Sequence, residues 1–331
     1  MAAVVALQDL RRPAVFALQT LAVAACYYAA GRLGLLRQLV VEDAVVTPIW
    51  PPTGVAVACL LLFGLRTWPG IALGALCVVL SISSIQPAVV GTLVGNTAAP
   101  VCAYYMLRKV GFRTDLARLR DGVSLVFLGA LTATLVSATA GAGLLVLTGK
   151  LASGGFWLVW SAWWAGDAMG VLIVTPVLLL LHGAQRQLRA LRWREALVLT
   201  VVACVVVPFA THSDLSMLFL VYPLLIWAAL RFQLAGSMLC ALFASVMVTI
   251  AATDQVGPFE RLTRIEVMIK LQAFNGGMAL TALLLSAVIT EQLNTRRSVE
   301  QACQELVEVL EHLTAGETPP SRPPMSAKDR L

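Results

Sequence analysis

Ten long apolar runs, separated by short polar or basic stretches, constrain this chain more than any other feature of its sequence. They cover residues 14–30, 50–64, 68–82, 87–107, 122–148, 157–181, 196–210, 216–230, 234–252 and 267–290. A helix needs roughly 20 apolar residues to cross a bilayer, and most of these runs approach or reach that length. A transmembrane barrel would show short segments of alternating apolar and polar residues instead.

The composition excludes a soluble domain, because 59% of the 331 residues are hydrophobic and only 13% are charged. We therefore predict an all-α fold, a polytopic transmembrane helical bundle of about 8–10 spans. The runs 50–64 and 68–82 are short. They are either tilted spans or a pair of re-entrant half-helices, and both alternatives leave the later spans in the same direction.

The distribution of basic residues predicts that both termini are cytoplasmic. With ten crossings and a cytoplasmic N-terminus, 18 Lys and Arg residues lie on the inner side and 6 on the outer side. Cytoplasmic loops of membrane proteins carry such an excess of positive charge. The net charge of +6 is thus explained by topology, and we do not expect a nucleic-acid partner.

Asp167 is the most informative polar residue, because charged side chains inside a membrane are costly and usually functional. It follows Trp157, Trp160, Trp163 and Trp164 at the start of a long apolar run. One interpretation places Asp167 just inside an aromatic belt at the outer interface. The other interpretation is a carboxylate that lines a cavity and binds a cation or hydrogen-bonds a ligand.

Asn96 lies in the middle of another apolar run, close to Gly91 and Gly95. Glycines four residues apart allow two helices to approach closely, and an amide can then form a hydrogen bond between them. This structural role is favoured over ligand binding for Asn96. Gly166 and Gly170 have the same spacing and also predict a close-packed helix face.

The stretch Trp50-Pro51-Pro52-Thr53-Gly54 breaks the helical pattern at the outer end of the second run. Proline is tolerated in the first turn of a helix, so Pro51 and Pro52 can begin a helix there. Irregular backbone at membrane depth is tolerated where it lines a cavity or is buried in protein. We therefore propose Trp50, Asn96, Trp163 and Asp167 as candidates for a ligand pocket, with Pro51, Pro52 and Gly54 as helix-breaking residues.

The sequence offers no cofactor or metal site. Its seven cysteines are scattered, without a Cys-x-x-Cys pair or a Cys/His cluster. We also find no glycine-rich phosphate loop and no nucleophile constellation. We expect no cofactor, no metal ligand and no catalytic residue, so the chain is not expected to be an enzyme by itself.

Four regions follow from the pattern. They are a cytoplasmic N-terminus (1–13), an integral membrane domain (14–292), an amphipathic helix (293–314) and a disordered tail (315–331). The helix 293–314 has apolar residues at alternating spacings of three and four over about two heptads, which predicts a short pairing seam. The seam residues are Val299, Ala302, Leu306, Val309 and Leu313.

The chain resembles the type-one membrane-associated sensor (MASE) domain of bacterial signalling proteins. The matching pieces occur in family order over roughly residues 14–292: "IWPPTGVAVACLLLFGLRTWPGIALGA", "VGNTAAP", "WWAGDAMGVLIVTPVLLL", "YPLLIWAALRFQLAGSM", "DQVGPF" and "LQAFNGGMALTALLLSAVITEQ". The resemblance implies a multi-pass sensory module of the bacterial inner membrane. Such modules normally precede a cyclase, phosphodiesterase, kinase or phosphatase domain.

No signature of such an output domain occurs in these residues, which departs from the family pattern. We expect a sensor module that passes a cue through 293–314, either to a signalling enzyme in trans or within a homodimer. The alternative is a small-molecule transporter or carrier, for which polar residues and broken helices in the membrane also provide a path. A third hypothesis is that the chain is a degenerate remnant of a larger receptor, folded but without a signalling output.

Overall fold

The computed structural model describes residues 2–41, 44–82, 87–183, 193–213 and 217–314. The helices are α1 (Ala2–Leu35), α2 (Pro51–Phe63), α3 (Trp68–Ile82), α4 (Pro87–Lys109), α5 (Leu119–Ser124), α6 (Thr134–Leu147), α7 (Phe156–Met169), α8 (Thr175–Gly183), α9 (Trp193–His212), α10 (Val221–Thr253) and α11 (Arg264–Thr314). Two π-helical segments, Leu125–Thr132 and Gly170–Val174, join α5 to α6 and α7 to α8.

The prediction of an all-α membrane bundle is confirmed. Six helical segments within the described ranges are long and apolar enough to cross a membrane: Leu65–Ile82, Leu119–Leu147, Ser153–Gly183, Trp193–His212, Met217–Thr253 and Arg264–Glu311. Pro51–Phe63 is apolar but shorter than a full span. The chain is therefore a multi-pass membrane protein.

Helix α10 consists of two helical stretches that meet at a kink. Gln233 has φ 54° and ψ −138°, which is not helical. This residue separates the predicted runs 216–230 and 234–252, so a pair of shorter crossings fits the segment better than one straight span. The number of eight to ten crossings stays a prediction.

Polar contacts between distant segments agree with the predicted topology. Arg37 and Asp254, both predicted on the outer side, form an ion pair at 2.6 Å. Arg231 and Glu195, both predicted on the inner side, form another at 2.7 Å. Each pair joins residues predicted on the same face, although they are far apart in the chain.

A small β-hairpin, which the sequence analysis did not predict, follows α1. Its strands are β1 (Leu39–Val41) and β2 (Ala44–Val46), paired antiparallel with Leu39 opposite Val46. Leu39 and Val46 are buried, whereas Val45 is exposed. Three-residue strands give too short an alternation to be recognised in the sequence.

Helix α2 lies inside the bundle. Eight of its residues are buried, and it contacts α1, α4, α7 and α8. Its position explains its length, because a helix surrounded by other helices does not have to match the thickness of the bilayer.

The terminal helices are longer than the predicted regions. Helix α1 begins at Ala2, so it includes most of the predicted N-terminal region 1–13. Helix α11 runs without interruption from Arg264 to Thr314, and the predicted boundary at 292/293 lies inside it. The predicted tail 315–331 lies outside the described residues.

Cysteine labelling tests the orientation. In a chain whose other cysteines are replaced by alanine, Cys303 on α11 is predicted to react with a membrane-impermeant maleimide only after the cells are permeabilised. A cysteine at Lys150, in the loop between α6 and α7, should react in intact spheroplasts. Labelling of Cys303 in intact cells would show that the topology is the reverse of the predicted one.

Candidate functional site

The N-terminus of α2 is in direct backbone contact with α7. The Trp50 N–H donates a hydrogen bond to the Gly166 carbonyl oxygen at 2.9 Å. A Cβ atom added at Gly170 would lie 2.0 Å from the Trp50 carbonyl oxygen, and one at Gly54 would lie 2.1 Å from the Gly170 carbonyl oxygen. Only glycine permits this approach at Gly54 and Gly170. Gly166 is restricted by another segment, because an added Cβ there would lie 2.4 Å from the Thr47 carbonyl oxygen.

The two prolines suit a helix that begins in the interior of the protein. The first N–H groups of a helix have no partner within the helix and are costly to bury. Pro51 and Pro52 occupy the first two positions of α2 and carry no N–H, and the N–H of Trp50 is satisfied by Gly166. The start of α2 therefore leaves fewer unsatisfied donors than an ordinary helix would.

Asp167 lies beside this first turn and is fully buried. The Thr53 hydroxyl donates a hydrogen bond to Asp167 Oδ1 at 2.6 Å. Asp167 Oδ2 has no hydrogen-bond partner among the described residues. Asp167 is thus part of the protein interior.

Further polar side chains surround Asp167. The Ser137 hydroxyl donates to Asn96 Oδ1 at 2.9 Å and also adjoins Asp167. Tyr27 is buried, and its hydroxyl lies near Trp50 and Asp167 without a partner at hydrogen-bond distance in the described structure. Asn96 makes the hydrogen bond between helices that its position in a close-packed run suggests.

A cavity of about 100 Å³ is lined by two residues of this neighbourhood, Trp50 and Asn96. Its polar and aromatic lining residues are Thr47, Trp50, Thr92, Asn96 and Trp163, and the rest of its wall is formed by apolar residues of α1, β2 and α3. The cavity thus brings together three of the four predicted pocket residues. The fourth, Asp167, lies one helical turn from Trp163 on the same face of α7.

The other tryptophans of α7 form a separate group. Trp157, Trp160 and Trp164 pack in a row with Phe156. The Trp160 indole N–H donates to Thr139 Oγ1 at 3.0 Å, and that of Trp164 donates to the Leu131 carbonyl oxygen at 2.8 Å. Trp163 instead lies against Gly141, where an added Cβ would be 2.6 Å from its ring. Only Trp163 of these four lines the cavity.

The glycines of α4 set the distance between α4 and α6. A Cβ atom at Gly91 would lie 2.8 Å from the Leu144 side chain, and one at Gly95 would lie 2.8 Å from Ala140 Cβ. This close approach brings Asn96 within reach of Ser137.

The cavity wall offers an amide and two indoles, whereas the Asp167 carboxyl group is not among its lining residues. In the described part of the chain, no group of three or more His, Cys, Asp or Glu side chains could hold a metal ion. Sequence reasoning missed Tyr27, Thr53 and Ser137. A hydroxyl in an apolar helix carries no charge that would distinguish it from the many serines and threonines that bond to their own helix.

A family model described as MASE1 matches residues 19–293. The chain belongs to the MASE1 family. No curated protein and no solved structure matches the chain. MASE1 is a family of membrane-associated sensory domains rather than catalytic ones, and the cavity and the Asp167 cluster lie within the matched MASE1 region.

The close contact of α2 with Gly170 predicts that one methyl group added at Gly170 destabilises the protein. Gly170→Ala should lower the free energy of unfolding by about 1–3 kcal/mol, because the added Cβ meets rigid backbone. Gly143→Ala is the matched control, since nothing lies within 4 Å of its added Cβ. Thermal unfolding of both purified variants in detergent measures the difference. Equal midpoints would mean that the contact is looser than described.

The hydrogen bond from Thr53 to Asp167 predicts a second stability difference. Thr53→Val keeps the shape but removes the donor, which should cost about 1.5–3 kcal/mol because it leaves the buried Asp167 Oδ1 without the hydrogen bond from Thr53. Thr53→Ser keeps the donor and should stay closer to wild type. A valine variant as stable as the serine variant in thermal unfolding would show that the hydrogen bond contributes little.

Proposed function

We propose that this MASE1 chain is a sensory module of the bacterial inner membrane. It perceives a small cue in the outward-facing cavity and passes the signal through α11 to a cytoplasmic partner. The pocket consists of Trp50, Asn96, Trp163 and Asp167. The observation that carries the proposal is the continuity of α11, which runs from its contact with α7, the helix that bears Asp167, to an exposed apolar surface.

Helix α7 connects the pocket to α11. The Gln272 side-chain amide of α11 donates to the Ala162 carbonyl oxygen of α7 at 3.4 Å. One helical turn further along α11, Gly276 faces the Met169 side chain, whose Cε would be 3.7 Å from an added Cβ. Asp167 lies between Ala162 and Met169 in the sequence of α7. A displacement of α7 at Asp167 would therefore move the α7 residues that contact α11.

Helix α11 is held again near its exit from the bundle. Glu291 Oε2 accepts a hydrogen bond from the Leu119 N–H, the first residue of α5, at 3.0 Å. A carboxylate at a helix N-terminus is favourable because it satisfies a free N–H and complements the helix dipole. This contact fixes the position of α11 relative to the N-terminus of α5, at the point where the exposed part of α11 begins.

Beyond Glu291, α11 exposes large apolar side chains. Leu306 and Leu310 are 62% and 59% exposed, and Val299 is 58% exposed. A soluble helical surface with several apolar residues in register is typical of an interaction site. The exposed apolar face therefore fits a partner, either a signalling enzyme or a second copy of this chain.

A carrier function is the second candidate. The observation that favours it is Asp167, a fully buried carboxyl group with one oxygen that has no hydrogen-bond partner among the described residues. Uptake of a labelled solute by proteoliposomes that contain only this protein, lost in Asp167→Asn, would support a carrier.

Affinity purification from membranes of the encoding organism tests the sensory proposal. The full chain is compared with a chain truncated after Glu291, which keeps the contact with Leu119. We expect a cyclase, kinase, phosphatase or second copy to copurify only with the full chain. Within the full chain, Leu306→Glu should abolish recovery, whereas Gln304→Glu, on the other side of the helix, should not.

Recovery of the same partner with the truncated chain would show that α11 beyond Glu291 is not the output element. The absence of any partner from both samples would contradict the sensory proposal and favour the carrier.

A further inference from the structure

The wall of the cavity contains no charged residue within the described part of the chain. Besides the five polar and aromatic residues named above, it consists of Leu35, Val45, Val46, Val78, Val79 and Ile82. An ion that entered this cavity would lose its hydration without gaining a counter-charge, which is costly. The cavity therefore favours an uncharged occupant.

Trp163 provides a hydrogen-bond donor that no described residue uses. Two tryptophans of α7 outside the cavity, Trp160 and Trp164, donate their indole N–H groups to Thr139 Oγ1 and to the Leu131 carbonyl oxygen. The Trp163 indole N–H has no acceptor among the described residues, and its nitrogen retains accessible surface. Because Trp163 lines the cavity, this N–H is available to an occupant.

Asn96 provides a second donor. Its Oδ1 accepts the hydrogen bond from the Ser137 hydroxyl, whereas its Nδ2 has no acceptor among the described residues. The Asn96 Nδ2 retains accessible surface, unlike the Nδ2 of Asn275, which is fully buried without a partner. Amide and indole N–H groups only donate, so both free groups favour an occupant that carries an acceptor such as a carbonyl oxygen.

The size of the cavity limits the occupant to a small molecule. Its volume is about 100 Å³. An apolar cavity of about 150 Å³ binds benzene, and pockets for drug-sized ligands measure about 300–1,000 Å³. The occupant is therefore somewhat smaller than benzene.

We propose that the cavity binds a small uncharged carbonyl compound. Its oxygen accepts hydrogen bonds from the Asn96 amide and the Trp163 indole N–H, and its carbon atoms pack against the apolar part of the wall. The proposal rests on the sensory function, which it deepens by naming the chemical class of the cue.

The test uses the full chain in nanodiscs and four probes of similar size. They are butan-2-one, 2-methylbut-1-ene, sodium propionate and sec-butylammonium chloride, with sodium chloride added to equalise the ionic strength. The alkene has the shape of the ketone but lacks the carbonyl oxygen. The thermal unfolding midpoint is recorded during each titration, because a ligand of the folded state raises it. We expect a saturable rise with butan-2-one and none with the two ions.

Two variants locate the response, since each removes one donor. Trp163→Phe and Asn96→Leu should each lower the affinity for butan-2-one, relative to that for 2-methylbut-1-ene, about two- to tenfold, which corresponds to the loss of one hydrogen bond. A general loosening of the cavity would weaken both probes and leave this ratio unchanged. Trp157→Phe, at a tryptophan outside the cavity, is the matched control and should keep the wild-type ratio.

Three results would overturn the proposal. They are the absence of a saturable response to butan-2-one, an equal response to either ion, and an affinity ratio that neither donor variant changes. Recovery of a partner by the full chain does not depend on this ligand. Absence of ketone binding with a recovered partner would therefore refute the ligand class and leave the sensory function intact. Ketone binding that follows the predicted ratios, by a chain that recovers no partner, would support the site and contradict the sensory function.

Discussion

The contact of the N-terminus of α2 with Gly166 of α7 and with Gly170, the residue directly after α7, is the constraint on which the rest of the site depends. A helix that begins inside the protein must satisfy or lack its first N–H groups. Pro51 and Pro52 lack them, Trp50 donates its own to Gly166, and Gly170 leaves room for the Trp50 carbonyl oxygen. Without this fit, the first turn of α2 would have to lie at a polar surface.

Placing the first turn of α2 against α7 also fixes the chemistry of the interior. Thr53 meets Asp167, and Trp50 becomes part of a cavity wall that also includes Trp163. A π-helical segment, Gly170–Val174, follows the contact, and π-helical turns are frequent at functional sites. Thr175 donates to the Gly54 carbonyl oxygen at 3.0 Å, so the contact between the two elements continues past this segment.

Much of this architecture was predictable from the sequence. The apolar runs predicted the membrane bundle, and the high cost of a charge in a membrane identified Asp167. The kink at Gln233 falls between two predicted runs. Pro51 and Pro52 occupy the first two positions of α2, which is one of the placements that the sequence allowed.

The remaining features depend on contacts between distant segments, which local patterns do not encode. Thr53 and Asp167 are 114 positions apart, and Ser137 and Asn96 are 41 apart. Tyr27 resembles any interfacial aromatic residue until α1 is placed beside Trp50. The hairpin of β1 and β2 was missed because its strands have only three residues each.

The central claim is that the Asp167 site and the exposed part of α11 beyond Glu291 respond together. A distance measurement between two nitroxide labels tests it, one on Cys303 and one on a cysteine replacing Arg118 beside α5, in a chain otherwise free of cysteine and reconstituted in liposomes. The distribution of label-to-label distances is compared between the chain with Asp167 and its Asp167→Asn variant, provided that the two have equal thermal stability. The account predicts a displacement of about 1–5 Å, the scale of helix shifts in switching proteins. Superimposable distributions would contradict it.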